Sequence, residues 1–230
     1  MTRHGFGPGE ESTMSPSGSV AIRVLLAGAP LAFAGLLLLH PVGDSDFASG
    51  VADNVTAWLV VHVGAAVLFP LMAYLVWLLL RGIPGRAALV ARVALPVFAV
   101  FYGVWETLTG IATGVMADEA NGTSGAAREA IMSAINTMAT HPIAGEMGVF
   151  NSIGSIAWVV AISAAVVALH GVGVQRSALV LLGLGAIMVM HIPPIGPAAL
   201  VCLSAAGLLI ERRRHGAVAA PVRGVGVTAG

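Results

Sequence analysis

The sequence predicts an all-α protein, a polytopic membrane helix bundle of about six transmembrane helices with both termini cytoplasmic. Three observations carry that prediction. Hydrophobic residues make up 57% of the 230-residue chain and charged residues only 10%, where soluble domains carry about 25% charged residues. Mean hydropathy is +0.92, and the apolar residues fall in runs long enough to cross a bilayer, for which about 20 residues suffice. The arginines gather at one side of those runs, and such a bias marks the cytoplasmic face.

Composition also excludes some chemistry. All 11 basic residues are Arg and none is Lys, so Schiff-base cofactors held by lysine, retinal and pyridoxal phosphate among them, are out. The one cysteine, Cys202, allows neither an intrachain disulfide nor a cysteine metal cluster. The formal net charge is zero, with no basic block beyond Arg212–Arg214, and this argues against a nucleic-acid partner.

The elements follow in order. Residues 1–19 are small, polar and rich in Pro and Gly, and read as a disordered cytoplasmic tail. The membrane domain is expected over 20–211. Its first span is Ala21–Leu39, closed by His40-Pro41 and taken as a helix because no A-x-A cleavage site follows it. An acidic loop with Asp44, Asp46 and Asp53 leads to the second span, Val55–Leu80, which carries Trp58 and His62. The third span, Ala87–Ala117, would reach about 46 Å as a helix and holds one carboxylate, Glu106. Tyr102, Glu106, Thr109 and Thr113 recur at helical spacing and share a polar face, with Trp105 beside it. Within the polar loop from Asp118 to Gly148, apolar residues at helical spacing predict an amphipathic helix over about 124–140, lying on the outer membrane surface. The fourth span is Val149–Leu169, with Trp158 on one face. The runs Ala178–Met190 and Ala198–Ile210, broken at His191-Ile-Pro-Pro, read as two short helices joined by a sunken turn. Residues 212–230 read as a second disordered cytoplasmic tail.

With ten of eleven arginines on one side and only Arg128 opposite, the ionisable residues of the spans collect on the other. His40, His62, Glu106 and His191 come from four different spans at similar depth, and His141 and Glu146 lie in the loop above. A carboxylate inside a span costs roughly 2.5–3.5 kcal/mol on insertion scales, and such residues are kept for a partner or a function. If the four converge, they line a polar pocket with aromatic walls.

Two resemblances add to this. His40-Pro41, Trp58-x-x-x-His62, Trp105-Glu106 and His191-x-Pro193-Pro194-x-Gly196-Pro197 resemble patterns in small polytopic membrane proteins of actinobacteria, a likeness running from about residue 22 to 212 that implies no activity. More loosely, the size and the buried acid beside aromatics are similar to the small integral membrane terpene cyclases. That resemblance implies intramembrane acid catalysis on a prenylated, lipid-soluble small molecule. Glu106 would be the catalytic acid with His62 assisting, and Trp58, Tyr102, Trp105, Trp158, His191 and His40 would line the substrate site. The expected setting is a bacterial inner (plasma) membrane, with membrane lipids as neighbours and no cofactor.

Two other function classes fit the same residues. His62, His191 and Glu106, joined by His40, are ligand types for a divalent metal, and the histidines would equally suit haem. A non-catalytic membrane module, its polar pocket filled by reciprocal hydrogen bonds, is the third.

Overall fold

The structure, a computed structural model, describes residues 16–42 and 46–218. Among them it is all-helical. Helix α1 (Pro16–Leu37) is followed by a short α2 (Phe47–Asp53) and by α3 (Val55–Leu79). Helix α4 (Arg86–Trp105) passes through a π-helical turn, Glu106–Ala112, into α5 (Thr113–Asn121). Then come α6 (Gly125–Ala139), α7 (Val149–Gly171), α8 (Arg176–Leu184) with a 3-10 extension over Gly185–Val189, and α9 (Ile195–Val218). Five of these segments are long and apolar enough to cross a membrane: α1, α3, the continuous Arg86–Asn121 segment, α7 and α9. The chain is a helical membrane bundle.

Its core is packed by aromatic and branched side chains from every long helix. Phe33 meets Phe69 edge-on at 4.8 Å, and Phe98 lies against Trp158 at 4.7 Å. The α4–α7 contact depends on Gly154, where a Cβ would fall 2.9 Å from the Tyr102 backbone nitrogen. Small residues at such crossings let helix backbones approach without the help of a hydrophobic effect between them. Pro30, Pro70 and Pro96 sit inside α1, α3 and α4, as membrane helices tolerate.

Three expectations need correction. The run Ala178–Met190 does form a short element, Arg176–Val189, but the run after the turn is not short: α9 has 24 residues, of which 20 qualify as a span. Among the described residues five segments therefore qualify as spans against the six expected, and Arg176–Val189 is a shorter apolar element beside a full-length α9. The amphipathic helix exists as α6, yet Ile131, Met132 and Ile135 pack against α2 and α5. Its apolar face is used by protein, and the three helices form a cap over Trp58. The tail boundaries also shift, since α1 begins at Pro16 and α9 runs to Val218; residues 1–15 and 219–230, with Asp44, lie outside the described residues.

The arginine-bearing helix ends meet on one face. Arg81 Nη2 donates to both oxygens of Glu211 at 2.6 and 2.7 Å, joining α3 to α9. Arg92 Nη2 bonds Leu80 O at 2.6 Å and Ile83 O at 2.9 Å, and Arg214 Nη2 bonds Leu79 O at 2.6 Å. Carbonyls at a helix C-terminus lack partners within the helix and attract cations, so these side chains staple the α3 end in place. The candidate site lies at the opposite end of the bundle.

Candidate functional site

Four elements deliver one titratable group each to a single buried point. His40 follows the last turn of α1, its N–H bonded to Leu37 O at 3.0 Å. His62 lies two turns into α3, Glu106 opens the π-helical turn, and His191 stands in the turn before α9. All four are buried, Glu106 completely.

The π-helical turn explains how α3 comes so close. A wide turn leaves backbone groups without regular partners and is frequent at functional sites. Here Gly110 O accepts from Trp58 Nε1 at 2.7 Å and from Thr113 Oγ1 at 3.0 Å, while Thr113 Oγ1 also bonds Thr109 O and Thr109 Oγ1 donates to Ala144 O. A Cβ at position 110 would lie 2.2 Å from His62 Cδ2. Only glycine admits the imidazole.

One ring nitrogen from each of His40, His62 and His191 lies within 4.8 Å of the other two. The remaining nitrogens are tied. His62 Nδ1 is 2.7 Å from Trp58 O and His40 Nδ1 is 2.8 Å from Pro41 O. A carbonyl can only accept, so both Nδ1 atoms carry the proton in the neutral ring. Tyr102 Oη donates to Val189 O at 2.9 Å, which leaves it to accept from His191 Nδ1 at 3.2 Å. In all three rings Nε2 then keeps a free lone pair. A bond from Nδ1–H to a carbonyl or similar acceptor is the arrangement that orients metal-ligating histidines. Burial holds His40, beyond the end of α1, below the usual imidazole range, partly offset by its bond to Pro41, and this favours the neutral ring.

Glu106 completes the cluster. Its Oε1 is 4.0 Å from His62 Nε2, and among the described residues neither carboxylate oxygen has a hydrogen-bond partner. A buried polar group left so costs about 1–3 kcal/mol. The aromatic residues hold the rings in place: Trp58 stacks on His62 at 4.1 Å, and Trp105 sits 5.6 Å from His191. Over His40 a cleft of about 630 Å³ opens between Phe47, Val51, Trp58, Ile192, Asp53 and Glu146.

No known family, curated protein or solved structure matches this chain.

The residues expected at the site divide cleanly. His40, His62, Glu106, His191, Trp58, Tyr102 and Trp105 are brought together. Trp158 is not: it is fully buried against Phe98 and donates to Gly185 O at 3.0 Å. Glu146 reaches the cleft, whereas His141 turns to its own loop and accepts the Ile143 N–H at 3.2 Å. Sequence reading missed α2, although Asp46 before Phe47 is an N-cap signal and its Oδ2 does accept from Ser49 N at 3.3 Å. Gly110 and Gly114 let α3 pack closely, seating His62, Trp58 and Leu59.

Does a metal fit this donor set? Zinc holds imidazole nitrogens at about 2.0–2.1 Å, so two ligands on one ion lie at most about 4.2 Å apart. The three rings meet that limit by drawing in less than about 1 Å, within reach of small side-chain rotations.

Proposed function

We propose that this protein is a metal-dependent membrane protein, with a divalent first-row ion of the zinc class held by Nε2 of His40, His62 and His191. The observation that carries the reading is the cluster itself: three buried imidazoles, each with Nδ1 in a hydrogen-bond contact, and one ring nitrogen of each within 4.8 Å of the other two. Glu106 serves there as a fourth ligand or as the group that takes up a proton. Imidazole suits zinc, iron, copper and nickel alike, and a three-histidine site with an open position is the usual catalytic form for zinc. Such an ion supplies Lewis acidity. The cleft over His40 then admits a lipid-soluble substrate whose polar end reaches the cluster, and Glu106 holds the proton the reaction displaces. On the arginine bias, we place both termini in the cytoplasm and the site near the outer face of a bacterial inner membrane.

Haem is less well supported, because the His40, His62 and His191 rings sit 5.2–6.2 Å apart, centroid to centroid, and leave no slot for a macrocycle between any two. Terpene-cyclase-like acid catalysis by Glu106 is supported by the burial of that carboxyl group. The aromatic rings that would cage a cation, however, are taken up in packing the imidazoles.

The test is metal analysis of detergent-purified protein, beside a His62→Ala, His191→Ala double variant. We expect close to one equivalent of metal in the parent, or uptake of one zinc ion after stripping, and none in the variant at similar helix content. A stripped parent that neither binds zinc nor gains thermal stability from it would overturn the reading.

A further inference from the structure

The opposite end of the bundle holds a second constellation that the histidine cluster does not use. Arg81, Arg213 and Arg214 line a cleft of about 520 Å³ between the end of α3, the turn joining α7 to α8, and the end of α9, with Ile83, Leu169 and Val174 among its apolar walls. Much of the hydrogen bonding of these arginines goes to carbonyls. Arg81 Nη1 bonds Leu78 O at 2.9 Å, Arg213 Nη1 bonds Gly173 O at 2.5 Å, and Arg214 Nη2 bonds Leu79 O at 2.6 Å. Carbonyls orient a guanidinium but do not cancel its charge. The carboxylate paired here is Glu211, held by Arg81 at 2.6 Å, so three guanidinium groups face one acid and positive charge is in surplus. Each guanidinium has five N–H donors in a fixed fork, and these bonds leave several on each side chain.

We propose that this cleft binds a phosphate-bearing anion, and that an anionic phospholipid of the adjoining leaflet supplies it. The guanidinium fork matches phosphate oxygens bidentately. The apolar wall of Ile83, Leu169 and Val174 suits the glycerol and first methylenes that follow a headgroup. Basic pockets between transmembrane helices are where anionic headgroups bind, and here the pocket joins three helix ends that are far apart in sequence. A bound headgroup would therefore tie α9 to α3 and to the α7–α8 turn.

The full chain in detergent is titrated with phosphatidylglycerol, with phosphatidylcholine and with inorganic phosphate, following the melting temperature. Phosphatidylglycerol at saturating excess is expected to raise it by about 5 °C, and phosphatidylcholine to leave it unchanged. A rise with inorganic phosphate alone identifies a free anion as sufficient, and a rise only with phosphatidylglycerol identifies the lipid; both support the phosphate site. Arg213→Gln, on an exposed side chain bonded to Gly173 O, should weaken phosphatidylglycerol roughly tenfold, whereas Arg213→Lys keeps the charge and most of the affinity. Equal shifts from the two lipids, or an unaltered preference in Arg213→Gln, would show that these arginines only staple helix ends. Metal-stripped protein should give the same lipid response, since the two ends act separately.

Discussion

Glu106 Oε1 lies 4.0 Å from His62 Nε2, too far for a hydrogen bond and too near for indifference. The two groups face one another across a space that neither fills. Direct bonding between them would satisfy the carboxylate at the expense of the imidazole lone pair. The gap leaves both groups available to an ion or a substrate atom, as the proposed site requires.

Replacing Glu106 by Gln keeps size and shape and removes the ionisable group. In metal-stripped protein the melting temperature should hold or rise, because an unpartnered buried carboxyl group is gone. Zinc affinity, followed by competition with a chromogenic chelator, should fall by about 10-fold or more. A variant that melts early yet binds zinc as tightly as the parent would make Glu106 a packing residue.

Gly110 offers a sharper steric probe. In Gly110→Ala the new methyl group would start 2.2 Å from the His62 ring, and overpacking of this kind costs about 1–3 kcal/mol. The imidazole must swing away, so zinc binding should be lost along with part of the stability. Gly103→Ala on the same helical run meets nothing within 4 Å and should be neutral or slightly stabilising. Equal behaviour of the two variants in thermal melts and zinc uptake would remove the close-approach argument.

How much of this could be read from the chain itself? The membrane class, the long spans and the polar stripe of Tyr102, Glu106, Thr109 and Thr113 were legible, because each depends on composition or on spacing within one helix. The topological alternation also placed His40, His62, Glu106 and His191 at one end of the bundle. Their meeting was not legible. It depends on a π-helical turn with no simple signature, on His191 being aimed by a hydroxyl 89 residues away in Tyr102, and on the rotation of each helix about its axis. Trp158 shows the converse error: an aromatic expected to line the substrate site is turned into the core against Phe98. The α6 face misled for a different reason, since an amphipathic helix fits lipid and protein equally well by periodicity.

Tyr102→Phe removes the hydroxyl that bonds Val189 O and contacts His191 Nδ1. The lost hydrogen bonds predict about 1–3 kcal/mol of destabilisation. Freed of its orienting bond, His191 can adopt the other tautomer, so zinc affinity should drop about 10- to 100-fold. Melting curves and chelator competition read the two effects separately. Loss of stability with undiminished zinc affinity would assign the hydroxyl to packing alone.

Acid sensitivity supplies the last check. His40 is held below the imidazole value of 6.5 by burial, so between the unfolded and folded values the unfolded chain binds the extra proton. Stability from the neutral ring is then complete above pH 6.5 and is lost progressively as pH falls from there through the folded value. Metal-stripped protein should melt at steadily lower temperature below pH 6.5. His40→Gln, which cannot titrate, should flatten that slope, and zinc added to the parent should move the onset to lower pH because protons and metal compete for the same nitrogen. If the slope is identical in His40→Gln, the titrating group lies elsewhere, and His40 contributes shape to the cluster but no proton linkage.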